Sequence, residues 1–171
     1  IENTTGSSTW ANDNKTIFYT TQDEKTLRSD KVFKHVLGAD PSADKLVYFE
    51  KDDTFNVGVG KEKSKKYLII SSSSTLTDEF RTLEANQPNG DFKVFQPRIK
   101  GLEYSISHYG GHDKFVILTN KDKATNFKLM TCSEDATSIE NWSEFIPHRA
   151  ETLIEDYSLF DNHIVLSERT N

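Results

Sequence analysis

The sequence predicts an all-β fold, a partial β-propeller of about three and a half four-stranded antiparallel blades. Four short apolar runs begin at Ile17, Tyr67, Phe115 and His163, so their starts are 50, 48 and 48 residues apart. Each run is followed by polar residues rich in hydroxyl groups. Repeats of about 40–50 residues with four strands each are typical of propeller blades. The near-constant spacing therefore predicts blades.

Three further strand candidates surround each apolar run. A first strand precedes the run, at segments 8–10, 55–57, 104–106 and 156–159. A third strand follows it and contains Phe33, Phe80 or Phe127, which are spaced 47 residues apart and each followed by a basic residue. The fourth strand is predicted at 46–49, 92–95 and 142–145. The third strands alternate between apolar and polar residues, as half-buried strands do, whereas the apolar runs suit strands covered on both faces.

The repeats define the expected domain organisation. We expect residues 1–171 to be a single fragment of a propeller domain, with blades at 7–50, 55–96 and 102–147 and a half blade at 153–171. A closed propeller has about four to eight blades, so this is part of a ring. The chain starts at Ile1 and its only methionine is Met130, so we expect the natural N-terminus upstream. A sandwich of short antiparallel strands is the alternative, and the in-register repeats disfavour it.

Composition excludes several classes of protein. Aromatic residues make up 11% of the chain, which argues against disorder, and no apolar stretch approaches the length of a membrane helix. The formal net charge of −6 disfavours a nucleic-acid partner. A single cysteine, Cys132, excludes an internal disulfide. We expect no membrane or nucleic-acid partner and a cytoplasmic location, with the periplasm left open.

Glycines and carboxylates along the chain offer no complete site. Gly58 and Gly60 lie in a string like a phosphate-binding loop, but Phe55 stands where the first glycine should be. We assign these glycines instead to an inner strand where space is tight. The segment 50–53 offers carboxylates without the spacing of a calcium loop, so it is interpreted as an exposed acidic turn.

Histidines and the cysteine complete the search for chemistry. His108 and His112 flank a glycine turn, and exposed turn histidines are favoured there over metal ligands. Cys132 has no evident histidine partner, so a buried neutral thiol is expected. A short helical turn is predicted within 138–145. We therefore expect no catalytic, cofactor-binding or metal-binding residue in this chain, and no cofactor.

Particular strings carry a resemblance that spans essentially the whole chain. They include Ser8-Thr9-Trp10-Ala11-Asn12-Asp13, the segment 32–38, the acidic string within 46–55, Leu102 through Tyr109, and the segments 120–129, 142–149, 155–160 and 167–169. In this order they resemble the propeller of the prolyl oligopeptidase family of serine peptidases, in its oligopeptidase B (protease II) branch. The loops at 87–90 and 110–113 depart from the family pattern.

The resemblance implies a two-domain enzyme. A seven-bladed propeller would cap an α/β-hydrolase domain whose Ser, Asp and His hydrolyse short peptides, after Arg or Lys in this branch and after proline in the prolyl branch. No position here matches the triad. The implied partners are therefore the parent's own C-terminal hydrolase domain and short peptide substrates, with the propeller gating access to the active site.

Charged residues between blades are the candidates for contact with that domain. They are Arg98, Arg149, Asp52 and Asp53, and the alternative is that they are solvated loop charges. A stand-alone propeller that binds a peptide or protein is the rival functional hypothesis. In either case, unpaired blade faces and strand edges predict that the fragment self-associates.

Overall fold

The computed structural model describes residues 1–170 and is built almost entirely from β-strands. Its three short 3-10 helices are Pro41–Ala43, Lys121–Lys123 and Ile139–Asn141. The strands are β1 Thr4–Trp10, β2 Thr16–Gln22, β3 Ser29–Val36, β4 Lys45–Phe49, β5 Asn56–Lys61, β6 Tyr67–Ser73, β7 Asp78–Glu84, β8 Lys93–Val94, β9 Tyr104–Tyr109, β10 Lys114–Thr119, β11 Lys128–Ser133, β12 Ser143–Ile146, β13 Thr152–Phe160 and β14 His163–Thr170.

The strands form sheets in sequence order. Three sheets have four strands each, ordered β1-β2-β3-β4, β5-β6-β7-β8 and β9-β10-β11-β12, and the fourth sheet is the hairpin β13-β14. Neighbouring strands are antiparallel, for example β10 against both β9 and β11. The predicted all-β fold with four-stranded antiparallel sheets is confirmed. The helical turn expected within 138–145 is the 3-10 helix Ile139–Asn141.

The apolar runs all occupy the second strand of a sheet, and their burial depends on what surrounds them. In β6 the first four residues, Tyr67 to Ile70, are all buried, and Phe115, Val116 and Ile117 are buried in β10. In β14, by contrast, only Ile164 and Leu166 are half-buried and the other residues are exposed. Among the described residues β14 pairs with β13 alone, so no third strand protects its far edge.

The chain divides into two compact units with separate cores. The first unit is Ile1–Thr75 with Glu79–Phe95, and the second is Leu76–Asp78 with the residues from Gln96 on. In the first unit, Phe18 and Val32 pack with Val57, Leu68 and Ile70. In the second, Val116, Leu129, Tyr157 and Leu159 pack together. Removing such apolar surface from water stabilises each core by roughly 25 cal/mol per Å².

Two local features differ from the sequence-based expectation. The strand predicted at 126–130 begins only at Lys128, because Phe127 has a φ of 57° and cannot continue an extended ladder. Of the two glycines assigned to a tight inner strand, both lie in β5, but only Gly58 is crowded. A Cβ at Gly58 would lie 2.9 Å from Ser71 Oγ, whereas nothing lies within 4 Å of one at Gly60.

Candidate functional site

All four candidate interface residues lie in connections between one sheet and the next. Asp52 and Asp53 are in the β4–β5 connection (50–55), Arg98 is in the β8–β9 connection (95–103), and Arg149 is in the β12–β13 connection (147–151). In a four-stranded antiparallel meander, the last strand ends on the same side as the turn between the second and third strands. Each connection should therefore meet that turn of its own sheet.

The β4–β5 connection is held by one arginine from the turn before β3. The Arg28 guanidinium donates to the carbonyl oxygens of Phe55 at 2.8 Å and of Asp52 and Glu50 at 3.2 Å each. Asp52 closes the connection locally, because its carboxylate accepts hydrogen bonds from the amide and hydroxyl of Thr54 at 3.0 and 2.7 Å. Asp52 and Asp53 are exposed. Their carboxylates are thus presented to solvent on an ordered backbone.

Glu50 corrects the prediction that segment 50–53 is an exposed acidic turn throughout. Glu50 is only 4% exposed, and its carboxylate accepts hydrogen bonds from Tyr48 Oη at 2.7 Å and from the Asp52 amide at 3.0 Å. Burial raises the pKa of Tyr48, whose ring also stacks beneath the Arg81 guanidinium at 4.2 Å. The buried carboxylate therefore organises the connection from within, and only the two aspartates face outward.

The β8–β9 connection carries Arg98, which is half-buried. Its backbone turns between Ile99 and Leu102 through a hydrogen bond of 3.0 Å and passes Gly101, whose φ is +82°. A residue with a Cβ would be strained at that φ, so glycine is required there. The Gly101 amide donates to Thr77 Oγ1 at 3.0 Å, which joins the connection to the turn before β7.

The β12–β13 connection carries Arg149, whose guanidinium pairs with the Glu168 carboxylate of β14. The backbone carbonyls of Arg149 and Ala150 accept hydrogen bonds from Asn126 Nδ2 at 3.1 and 2.6 Å. Arg149 is exposed, so its charge is accessible even though it has an ion-pair partner within the chain. An incoming carboxylate would compete with Glu168 for this guanidinium.

His108 is a buried residue that the sequence analysis placed in an exposed turn, and that prediction is wrong. It lies in β9, is 3% exposed, and its Nε2 pairs with the Glu134 carboxylate. Alternation along the strand was the available signal, because Ile106 and Tyr104 are two and four residues before it and are also buried. His112, three residues past the strand, is exposed as expected.

Cys132 is a buried thiol, as predicted. Phe115 stands opposite both His108 and Cys132 in the ladder, so the three side chains share one face of the sheet. Burial raises the pKa of Cys132 to about 12, so the thiol is neutral near pH 7. A neutral thiol is a poor nucleophile, so Cys132 is not suited to covalent catalysis. Because His108, Phe115 and Cys132 are all buried, this face of the sheet is part of the packed core.

A second polar cluster that the sequence did not reveal centres on Asp44. Tyr19 Oη donates to Asp44 Oδ2 at 2.7 Å, and His35 Nδ1 lies 2.6 Å from Asp44 Oδ1. Burial and the adjoining carboxylate raise the pKa of Tyr19. Asp44 follows the 3-10 helix Pro41–Ala43 by one residue, and no sequence spacing relates it to the other two. The cluster fixes the link between β3 and β4.

Within residues 1–170, no three His, Cys, Asp or Glu side chains are grouped in a way that could hold a metal ion. No helix in the same range is long and apolar enough to cross a membrane. Each connection offers a hydrogen-bonded backbone that carries candidate interface residues, acidic in the first unit and basic in the second. Such surfaces are suited to ion pairs and hydrogen bonds with another protein surface.

Comparisons with known proteins point to one family. Residues 1–171 match the prolyl oligopeptidase N-terminal β-propeller domain. Dipeptidyl aminopeptidase BI of Pseudoxanthomonas mexicana is 43% identical over 95% of this chain and 22% of its own length. Protease 2 of Moraxella lacunata is 32% identical over 97% of this chain and 23% of its own length.

A solved structure agrees with these sequence relatives. Oligopeptidase B from Trypanosoma brucei, in a closed form with covalently bound antipain, superposes with a TM-score of 0.91 and 34% identity. The match covers 100% of this chain and 24% of that one, so the chain spans about a quarter of the length of its relatives. The resemblance found in the sequence is confirmed: the chain belongs to the prolyl oligopeptidase family of serine peptidases, as part of its N-terminal β-propeller domain.

Proposed function

We propose that this chain is the noncatalytic propeller segment of a serine oligopeptidase that hydrolyses short peptides after Arg or Lys. The match of the whole chain to the family's N-terminal propeller domain carries the proposal. The similarity to oligopeptidase B from Trypanosoma brucei supports the choice of branch. Because the chain covers about a quarter of its relatives, the triad belongs to the remainder of the parent protein.

The segment's role in that enzyme is to limit access to the active site. Blades around a narrow opening admit short flexible peptides and exclude folded proteins, and closure of the two domains removes water from the reaction. Asp52, Asp53, Arg98 and Arg149 are proposed to meet the hydrolase domain. Their support is their position on hydrogen-bonded connections, where Asp52, Asp53 and Arg149 are exposed and Arg98 is half-buried.

Hydrolysis by the isolated chain and by its full-length parent tests the proposal. The parent should cleave chromogenic peptides that end in Arg or Lys, and a serine-reactive inhibitor should abolish the cleavage. The isolated chain should show no cleavage of the same peptides. Robust inhibitor-sensitive hydrolysis by the isolated chain would contradict the assignment of roles.

A second specificity is favoured by one relative. The protein that is 43% identical to this chain is named dipeptidyl aminopeptidase BI. An enzyme of that kind releases dipeptides from free N-termini. Parallel assays on peptides with free and with blocked N-termini distinguish the two specificities. Blocking should abolish dipeptide release and spare cleavage after internal Arg or Lys. The same panel should include proline at the cleavage position, to test the prolyl branch.

A propeller that only binds peptides or proteins remains the alternative of a different class. The discriminating observation is the parent gene. A Gly-x-Ser-x-Gly elbow roughly 200–300 residues downstream of this segment would establish the peptidase, because that motif presents the nucleophilic serine of an α/β-hydrolase. Its absence would favour the binding module.

A further inference from the structure

One hydrogen-bonding position recurs at the turn before the third strand of every four-stranded sheet. It is occupied by Arg28, Thr77 and Asn126, which are 49 residues apart in each step. Each joins its turn to the backbone of the connection that leaves the same sheet. The three residue types differ, so what recurs is the position in the sheet and the contact with the connection. No single residue type marks this position in the sequence.

Arg28 makes the most extensive of these contacts. One guanidinium donates to three backbone carbonyls within 50–55, and its second partner group is the Asp30 carboxylate at 3.9 Å. The Arg28 side chain is only 14% exposed, so water competes weakly for these hydrogen bonds. The planar fork of arginine can serve several acceptors at once, which a lysine ammonium on a flexible stem cannot reproduce.

Asn126 and Thr77 do the same in the second unit by different chemistry. The side-chain amide of Asn126 donates to two carbonyls in 147–151, and the backbone carbonyl of Asn126 accepts a hydrogen bond from the Ile154 amide at 3.1 Å. Thr77 uses its hydroxyl oxygen as an acceptor for the Gly101 amide. In all three cases the bond is made to the backbone of the connection, so it does not use the side chains of the candidate interface residues.

We propose that Arg28, Thr77 and Asn126 are positioning residues that hold the three connections in the conformation needed to dock a catalytic domain. This inference rests on the proposed function, since it assigns the connections their role at the interface. The three residues do not themselves touch substrate. They act by fixing the backbone that carries Asp52 and Asp53, Arg98, and Arg149.

Hydrogen–deuterium exchange in the full-length enzyme measures the holding role. The protected amides within 50–55, such as Glu50 and Phe55, are the reporters for Arg28. Arg28→Lys should accelerate their exchange about tenfold or more while the strands of the second unit stay protected. Arg169→Lys is the matched control, because Arg169 is an exposed arginine whose partner is Glu155 at 3.3 Å. That control should leave 50–55 unchanged.

Asn126→Asp supplies a second, independent variant. It keeps the side-chain shape but replaces the donor to the Arg149 and Ala150 carbonyls with an acceptor. Exchange of the Thr152 amide, which donates to the Arg149 carbonyl at 3.3 Å, should therefore rise. Asn162→Asp, in the exposed turn between β13 and β14, is its control. Unchanged exchange at 50–55 in Arg28→Lys and at the Thr152 amide in Asn126→Asp would overturn the proposal.

Kinetics of the same enzyme test whether the held conformation matters for docking. Arg28→Lys should lower kcat/KM on the order of tenfold. In a background of Asp52→Asn with Asp53→Asn, Arg28→Lys should have little further effect, because both changes act through one connection. Suppose that the Asp52→Asn, Asp53→Asn enzyme is impaired. If Arg28→Lys then shows faster exchange at 50–55 but wild-type kcat/KM, the positioning role is overturned.

The design separates this inference from the proposed function. If the Asp52→Asn, Asp53→Asn enzyme has wild-type kinetics, the interface assigned to those aspartates is wrong. The exchange measurements then decide the holding role alone. Additive losses of kcat/KM in the combined variant would contradict the claim that Arg28 acts through the aspartates.

Discussion

Tyr157 donates its hydroxyl hydrogen bond to the backbone carbonyl of Val116 at 2.9 Å, within the core of the second unit. Both residues are buried, so the bond joins the hairpin β13–β14 to the third sheet without competition from water. It places a polar contact at the centre of an otherwise apolar cluster, where a tyrosine is distinguished from a phenylalanine by its hydroxyl alone.

Replacement of Tyr157 by Phe should destabilise the chain by about 1–3 kcal/mol, because the buried Val116 carbonyl loses this partner. Thermal or urea unfolding of the purified chain measures the change. Tyr109→Phe is the control, since its hydroxyl reaches only the Asp161 carbonyl at 3.5 Å on the exposed surface. Equal losses for the two variants would contradict a special role for the buried bond.

Gly58→Ala should destabilise the chain by about 1 kcal/mol, because the new Cβ would lie 2.9 Å from Ser71 Oγ and force that side chain to move. Gly60→Ala, two residues along the same strand, has open space and should be neutral or slightly stabilising. Unfolding free energies of both variants check this. Ser71→Ala should restore stability in the Gly58→Ala background, and failure to do so would show that Ser71 is not the obstacle.

Cys132 should resist thiol reagents near pH 8 until the chain unfolds, because its pKa is raised to about 12 by burial. The folded chain holds this proton more tightly than the unfolded chain, whose thiol titrates near its ordinary pKa of 9.0. The stability that the thiol contributes is therefore complete below about pH 9 and is lost as pH rises toward 12.

Unfolding free energies of the wild-type chain and Cys132→Ala, compared between about pH 8 and about pH 11, isolate this contribution. The loss over that range should be smaller in the variant, which has no thiol to titrate. An equal loss in both proteins, or rapid reaction of the folded thiol with an aromatic disulfide reagent, would contradict the expected protonation.

Arg149→Glu should affect the full-length enzyme more than the isolated chain. In the isolated chain the substitution removes the exposed ion pair between Arg149 and Glu168, and such pairs contribute about 0–1 kcal/mol to stability. In the enzyme it reverses a charge proposed to face the hydrolase domain, so kcat/KM should fall and its salt dependence should change. Arg169→Glu, another exposed arginine of the second unit, should leave kcat/KM near the wild-type value.

The isolated chain should self-associate through the hairpin β13–β14. The far edge of β14 is unpaired among the described residues, and the exposed apolar side chains Phe160 and Val165 lie beside it. Light scattering over a range of concentrations should detect the association, and Val165→Lys should reduce it. Leu37→Lys, at an exposed site of the first unit, is the control. A stable monomer at high concentration would contradict the prediction.

The repeat was readable from sequence because the apolar runs of the three four-stranded sheets mark strands that those sheets bury. The runs at Tyr67 and Phe115 begin or lie within β6 and β10 as predicted. Their burial is a property of residues close together in the chain, and apolar periodicity reports it. The turn at Phe127 was missed because its positive φ depends on a single residue's backbone and leaves no pattern around it.

The candidate site could be predicted only in part. Charges in the connections were visible as residues between strands, and Asp52 and Asp53 are exposed as expected. Glu50 and His108 were placed on the surface, but each is buried against a partner that becomes close only in the folded sheet. The contacts of Arg28 and Asn126 were likewise invisible, because they pair a side chain with a backbone carbonyl more than twenty residues away.

The direction of those contacts along the chain has a consequence for biosynthesis. Arg28 precedes the carbonyls of 50–55, Thr77 precedes Gly101, and Asn126 precedes Arg149. A ribosome therefore makes each anchoring side chain before the backbone that it holds. Every connection is synthesised after the hairpin turn that will hold it. The sheets can therefore fold one after another in the order of translation, and each completed turn can bind the connection that leads to the next sheet.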